Sequence, residues 1–125
     1  MRVHHVAVVV SDLGRAEAFY AGVLGLPVVR RWHDDGGAPR SVWVGLEGDA
    51  FVAIERATSA GPVRASEAPG LHCLSLAVEL LDRETWRLRL RAAGHEIVRE
   101  TPYTLFTHDP DGNLVGLSHY PTPSA

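Results

Sequence analysis

Residues 3 to 10, Val-His-His-Val-Ala-Val-Val-Val, form a β-branched apolar run that stops at Ser11 and Asp12. Such a run predicts a strand, and the short polar side chains after it suit a helix cap because their oxygens accept from free amide groups. Leu13, Ala16, Phe19, Tyr20, Val23 and Leu24 then recur at helical spacing, Gly25 fits the left-handed closing residue, and Pro27 forbids continuation. Three strands are predicted next, over 28–32, 41–47 and 50–56. They are separated by the turn signals Asp34-Asp35-Gly36-Gly37 and Gly48-Asp49. The first half reads as βαβββ.

A polar stretch containing Pro and Gly, residues 58–70, precedes a second copy of the pattern. Residues 71–78 repeat the first strand, with Val3 falling on Leu71, His5 on Cys73, Val6 on Leu74, Val8 on Leu76 and Val10 on Val78. Asp82 is the expected cap of a second helix, whose buried stripe is Trp86, Leu90 and Ala93 and whose terminator is Gly94. Strands are predicted over 96–100, 103–108 and 113–119. Between the last two, Asp109-Pro110-Asp111-Gly112 has the chemistry of a type I turn closed by a glycine bulge. The expected class is α+β, one domain of two tandem βαβββ modules: module 1 at 1–57, a linker at 58–70 and module 2 at 71–121.

Composition narrows the function. A chain of 125 residues that is 46% hydrophobic holds one ordinary core, and a net charge of -3 with interspersed signs offers no footprint for nucleic acid. The longest apolar run, Val6 to Val10, is too short for a bilayer, and the N-terminus enters a strand pattern at once, so a cytoplasmic protein with no membrane partner is expected. Cys73 is the only cysteine, which excludes an internal disulfide and a CxxC motif. It is expected to be a small buried hydrophobe.

Strand alternation assigns faces. Val6, Val8 and Val10 should face a helix, leaving His5, Ala7 and Val9 opposite; Phe51, Ala53 and Glu55 share that second face, as do Cys73, Ser75 and Ala77 in the second copy. Ala7, Val9, Ala53, Cys73, Ser75, Ala77, Gly116 and Ser118 are nearly all small, which predicts a hollow able to take a small organic molecule. Trp43 and Phe51 would supply flat apolar walls, Cys73, Ser75 and Ser118 further lining, and His108 the mouth. Glu55 is the candidate general base and His5 its imidazole partner for proton transfer, provided the two converge.

The run 4–28, "HHVAVVVSDLGRAEAFYAGVLGLPV", and the Asp109-Pro110-Asp111-Gly112-Asn113 turn closely resemble the vicinal oxygen chelate superfamily, which includes glyoxalase I, bleomycin- and fosfomycin-resistance proteins and extradiol dioxygenases. The resemblance implies a curved, mostly antiparallel sheet and a homodimer. It also implies metal-ligand positions at His5, Glu55, Cys73 and Gly116. Glycine cannot ligate, and cysteine ligates only as a thiolate suited to soft metals. The leading expectation is therefore a small-molecule-binding protein with an incomplete metal site and no cofactor, either a resistance-type binder or a proton-transfer enzyme. The alternative is a glyoxalase-like lyase or isomerase holding a divalent metal (Zn, Ni, Co or Mn) on His5 and Glu55.

Overall fold

The first apolar run forms strand β1, His5–Val10, and Asp12 then starts a helix because its extended backbone lets its carboxylate accept from the Arg15 amide. This helix, α1, is α-helical over Leu13–Glu17 and continues as a π-helical segment, Ala18–Val23, with the Leu24 amide reaching back to the Phe19 carbonyl. Gly25 follows at φ 77, the left-handed conformation its place in the sequence predicts. Strands β2 (Val28–His33), β3 (Pro39–Gly45) and β4 (Phe51–Arg56) complete the first module. β3 starts and ends earlier than its hydrophobic pattern suggests. The Asp34 amide bonds the Ala38 carbonyl, which draws Pro39 into the β2–β3 hairpin, and the Leu46 amide bonds the Ala50 carbonyl in the next turn.

The second module repeats the order with β5 (Leu74–Ala77), α2 (Arg83–Ala92), β6 (Arg99–Glu100), β7 (Thr104–His108) and β8 (Leu114–Ser118). Asp82 does not cap α2 as expected. It closes a 3-10 turn, Leu80–Asp82, with φ -92 and ψ -1, and so lacks the extended backbone that aims the Asp12 carboxylate. β6 is short because the Thr107 hydroxyl donates to the Glu96 carbonyl, taking a group that a longer ladder would use. The Asp109–Gly112 turn forms as its chemistry predicts: the Gly112 amide bonds the Asp109 carbonyl, and Gly112 adopts φ 83.

This computed structural model describes residues 1–62 and 68–125, and the chain divides into two compact units, Met1–Pro62 and Val63–Ala125. Part of the expected linker, residues 63–67, lies outside the described residues. The strands bond as two four-stranded sheets, ordered β1-β4-β3-β2 and β5-β8-β7-β6. Each contains one parallel pairing and two antiparallel ones. The same order in both halves, down to the parallel first-to-last pairing, bears out the duplication and the α+β class.

In the first module α1 lies against β3 and β4, burying Ala16, Phe19 and Tyr20 on the side of Val42, Val44, Val52 and Ile54. Each large apolar side chain so buried contributes about 1.5–3 kcal/mol. In the second, Leu90, Leu105, Val115 and Leu117 form the core. The buried stripe of α2 is turned from the expected one: Ala93 is exposed, Trp86 half-buried, and Arg83 buried. Arg83 tolerates burial because its guanidinium donates to His119 Nε2 at 2.7 Å and to the Thr101 carbonyl at 2.9 Å. His119 Nδ1 contacts the Thr122 carbonyl, which only accepts, so the ring carries its proton on Nδ1 and receives Arg83 on Nε2. Arg87 is mostly covered and pairs with Glu100 and Glu84. No helix among the described residues is long and apolar enough to cross a membrane.

Candidate functional site

Strand register fixes what shares the helix-free face of the first module. His5, Phe51 and Gly45 form one cross-strand row; Ala7, Ala53, Trp43 and Arg30 form the next; Val9, Glu55, Ser41 and Trp32 form the third. All the expected residues of this module therefore lie on the expected face. His5 and Glu55 do not converge, however. His5 is opposite Phe51 whereas Glu55 is opposite Val9, four residues further along parallel strands, a separation of about 13 Å at roughly 3.3 Å per residue. This corrects the expected imidazole-carboxylate pair: the His5 ring is stacked on Phe51 in its own row, and Glu55 stands two rows away.

The face is built instead around a row of rings. His5 stacks on Phe51 at 4.8 Å between centroids with 5° between planes, and Phe51 stacks on Trp43 at 4.2 Å and 18°. Trp32 meets Trp43 edge to face at 5.6 Å, and the Arg30 guanidinium lies 3.9 Å over the Trp32 ring. His4 adds an edge contact to Phe51, and its Nδ1 shares a hydrogen bond of 2.8 Å with His5 Nδ1. Phe51 has both faces covered, so it is not the flat wall expected of it. Ring edges, which carry the positive end of the aromatic quadrupole, are what it has left to offer a guest.

Three polar atoms of this face are buried without a hydrogen-bond partner among the described residues: Trp32 Nε1, Trp43 Nε1 and Ser41 Oγ. Ser41 is 1% exposed and sits between Trp32 on β2 and Glu55 on β4. A buried donor left without an acceptor costs about 1–3 kcal/mol, so three together are a costly arrangement for a free protein to keep. Trp32, Arg30 and Ser41 were not among the residues singled out from the sequence. The signal was present in the β2–β3 hairpin, since antiparallel pairing carries the facing of Trp43 across to the alternate residues of β2.

The helix-free face of the second module carries Ser75, Ala77, Thr104, Phe106, His108, Leu114, Gly116 and Ser118. Ser118 Oγ accepts from Thr104 Oγ1 at 2.9 Å, Ser75 is exposed, and the His108 ring is half-buried while its carbonyl receives His95 Nδ1. Cys73 precedes β5 and is half-buried, not the fully buried hydrophobe expected. The hollow predicted at Gly116 is closed by neighbours. A Cβ there would lie 2.9 Å from Ser75 Oγ and 3.1 Å from both Phe106 Cε1 and Thr104 Cγ2. The small-residue inventory overlooked Phe106 and Thr104, which alternate onto this face of β7.

The metal expectation is tested by the same geometry. Of the four implied positions, Gly116 has no donor and no room for one, Cys73 lies outside the regular strand, and His5 and Glu55 stand in different rows, with the His5 ring stacked on Phe51. Among the described residues no group of three or more His, Cys, Asp or Glu side chains gathers in a way that would hold a metal. The residues present do not fit the family's four-ligand centre.

Comparison with known proteins agrees with the architecture. YaeR, an uncharacterized protein of Escherichia coli K12, is 30% identical over 120 residues, spanning 89% of this chain and 90% of its own. The crystal structure of SMU.1112c is 32% identical, covers 95% of this chain and 98% of its own, and superposes with a TM-score of 0.79. A mutant of the fosfomycin resistance protein FosX from Listeria monocytogenes, complexed with Mn(II) and 1S,2S-dihydroxypropylphosphonic acid, is 15% identical with a TM-score of 0.74 over 94% of this chain and 91% of its own; at that identity the likeness is one of fold. The description Glyoxalase/Bleomycin resistance protein/Dioxygenase superfamily matches residues 2–117, nearly the whole chain, and this protein belongs to that superfamily.

Proposed function

We propose that this chain is a small-molecule-binding member of its superfamily that works without the four-ligand metal centre. The observation that carries the reading is the helix-free face of the first module. There the imidazole at the family's first ligand position is stacked into an aromatic row, His5–Phe51–Trp43–Trp32, while the second ligand type, Glu55, stands in a different row. Aromatic surface with a few polar groups is the composition of an organic-ligand site. The long separation between His5 and Glu55 favours a binder over a two-group proton-transfer enzyme, and a homodimer and a cytoplasmic setting belong to the same proposal.

The experiment uses full-length protein without a histidine tag. Metal analysis before and after incubation with Zn, Ni, Co or Mn is expected to find no stoichiometric ion. A small-molecule library read by thermal shift is expected to return ligands that, on a labelled sample, perturb resonances of Phe51, Trp43 and Glu55. One tightly held ion per chain, or a library with no ligand acting on this face, would overturn the proposal.

A further inference from the structure

We infer that the site on the first module takes an aromatic molecule bearing a neutral carbonyl-type acceptor, which Trp32 Nε1, Trp43 Nε1 and Ser41 Oγ bind together. This rests on the reading of that face as a small-molecule site and goes on to name what it selects. The three atoms are all donors, all buried, and all without an acceptor among the described residues. The residues that carry them are neighbours in the sheet: Trp32 is the cross-strand partner of Ser41, and Trp43 is two residues from Ser41 on the same face of β3. Protein groups satisfy nearly all their buried donors, so a cluster of three is unmet bonding that a guest can meet, and because the same atoms are closed off from solvent it meets them by turning the two indoles outward. One carbonyl oxygen has two lone pairs, so three donors share it through one ordinary and one bifurcated hydrogen bond.

The surroundings narrow the guest further. The stacked rings leave Phe51 only edges to present, and these attract the electron-rich face of another aromatic system. Arg30 already covers the Trp32 ring, so a cationic guest would meet a like charge at that end. Glu55 is the cross-strand neighbour of Ser41, so a carboxylate accepting from Ser41 would meet a like charge at the other. A neutral acceptor such as an amide or ketone avoids both, and an amide N–H has Glu55 within its row as an acceptor.

Benzamide, benzoate and benzylammonium are matched probes for a neutral acceptor, an anion and a cation on one ring. Titrated into full-length protein with 15N-labelled indoles, benzamide is expected to move the Trp32 and Trp43 signals, assigned with Trp32→Phe and Trp43→Phe, and to leave that of Trp86 in place. Ser41→Ala should weaken benzamide about tenfold, the loss of one hydrogen bond. The free variant should be at least as stable as the parent, since an orphan hydroxyl is removed. Benzoate should bind about tenfold more weakly than benzamide, and Glu55→Gln should close that gap. Benzylammonium binding as tightly as benzamide, unmoved indole signals, or an unchanged affinity in Ser41→Ala would each overturn the inference. If the library still yields ligands on this face, only the inference falls; if it yields none, the reading beneath it falls as well.

Discussion

Gly116→Ala isolates the claim that the second module has closed its family ligand position. In the abstract this change should help: glycine inside a strand costs roughly 0.5–1 kcal/mol relative to alanine, and Gly116 does not occupy the left-handed region that would reserve it for glycine. The surroundings reverse the sign. The new methyl would meet Ser75 Oγ at 2.9 Å and Thr104 Cγ2 and Phe106 Cε1 at 3.1 Å. Ser75 is exposed and can turn away. Thr104 is β-branched, buried, and pinned through Oγ1 to Ser118, and Phe106 lies beneath the Arg99 guanidinium, so neither yields freely. Overpacking of this kind costs about 1–3 kcal/mol against the propensity gain of roughly 0.5–1 kcal/mol, a net loss of up to about 2.5 kcal/mol. Urea unfolding measures it directly. Thr104→Ser removes Cγ2 but keeps the hydroxyl, so the same alanine introduced into that background should cost less. An alanine variant more stable than the parent, or a cost that Thr104→Ser does not reduce, would refute the closed-position argument.

Other substitutions test the rest of the structure. Phe51→Ala removes the ring held between His5 and Trp43 and is expected to destabilise by about 3–5 kcal/mol, with a change in tryptophan fluorescence as Trp43 loses its stack. Asp109→Ala deletes the carboxylate that accepts from the Asp111 and Asn113 amides and from Asn113 Nδ2; loss of protection at those amides in hydrogen exchange, with a cost of about 1–3 kcal/mol, is the expected result. Arg83→Met leaves His119 Nε2 and the Thr101 carbonyl without their donor, and should cost more than Arg91→Met on the exposed side of α2 in the same urea assay. For pH, hydrogen bonds from Arg31 hold the Glu17 carboxyl below its ordinary 4.5. Its contribution is therefore present above pH 4.5 and lost as pH falls through the lower folded value, so Glu17→Gln should flatten the stability profile below pH 4.5 and leave its shape above that unchanged.

The duplication, the strand-helix order and the faces of β1 and β4 were legible because they rest on periodicity, which a single sequence carries in full. Asp12 and Asp82 mark where that stops: both are aspartates before an apolar helix, yet only the first has the extended backbone that makes a cap. Tertiary partners also overrode the pattern on α2, where Arg83, outside the predicted stripe, is buried by its bonds to the His119 ring and the Thr101 carbonyl while Ala93 is exposed. The site itself was half legible. Residue identity and face followed from alternation, but the distance between His5 and Glu55 depends on which residue of β1 stands opposite which residue of β4. Parallel register is set by packing and the crossover helix, not by any local signal in either strand. The hollow at Gly116 was misjudged for a related reason: a glycine shows what one position lacks and not what its neighbours put there.

Whether stacking or spacing keeps His5 from acting as a metal ligand is decided by magnitude. An aromatic pair is worth about 0.5–1.5 kcal/mol beyond the area it buries, whereas a complete structural zinc site binds with about 10–16 kcal/mol. The His5–Phe51 stack alone would therefore yield to a real coordination sphere, and the hydrogen bond to His4 would yield with it. Spacing cannot yield in the same way. Bringing Glu55 opposite His5 requires sliding β4 by four residues along β1, which would break every pairing of Phe51–Arg56 with β1 and displace the buried Val52 and Ile54 from their places in the core. That cost falls on the whole module, so restoring a carboxylate at position 116 would not rebuild the centre. The first module would first need a donor at Ala53 or Phe51, in or beside the row of Ala7 and His5.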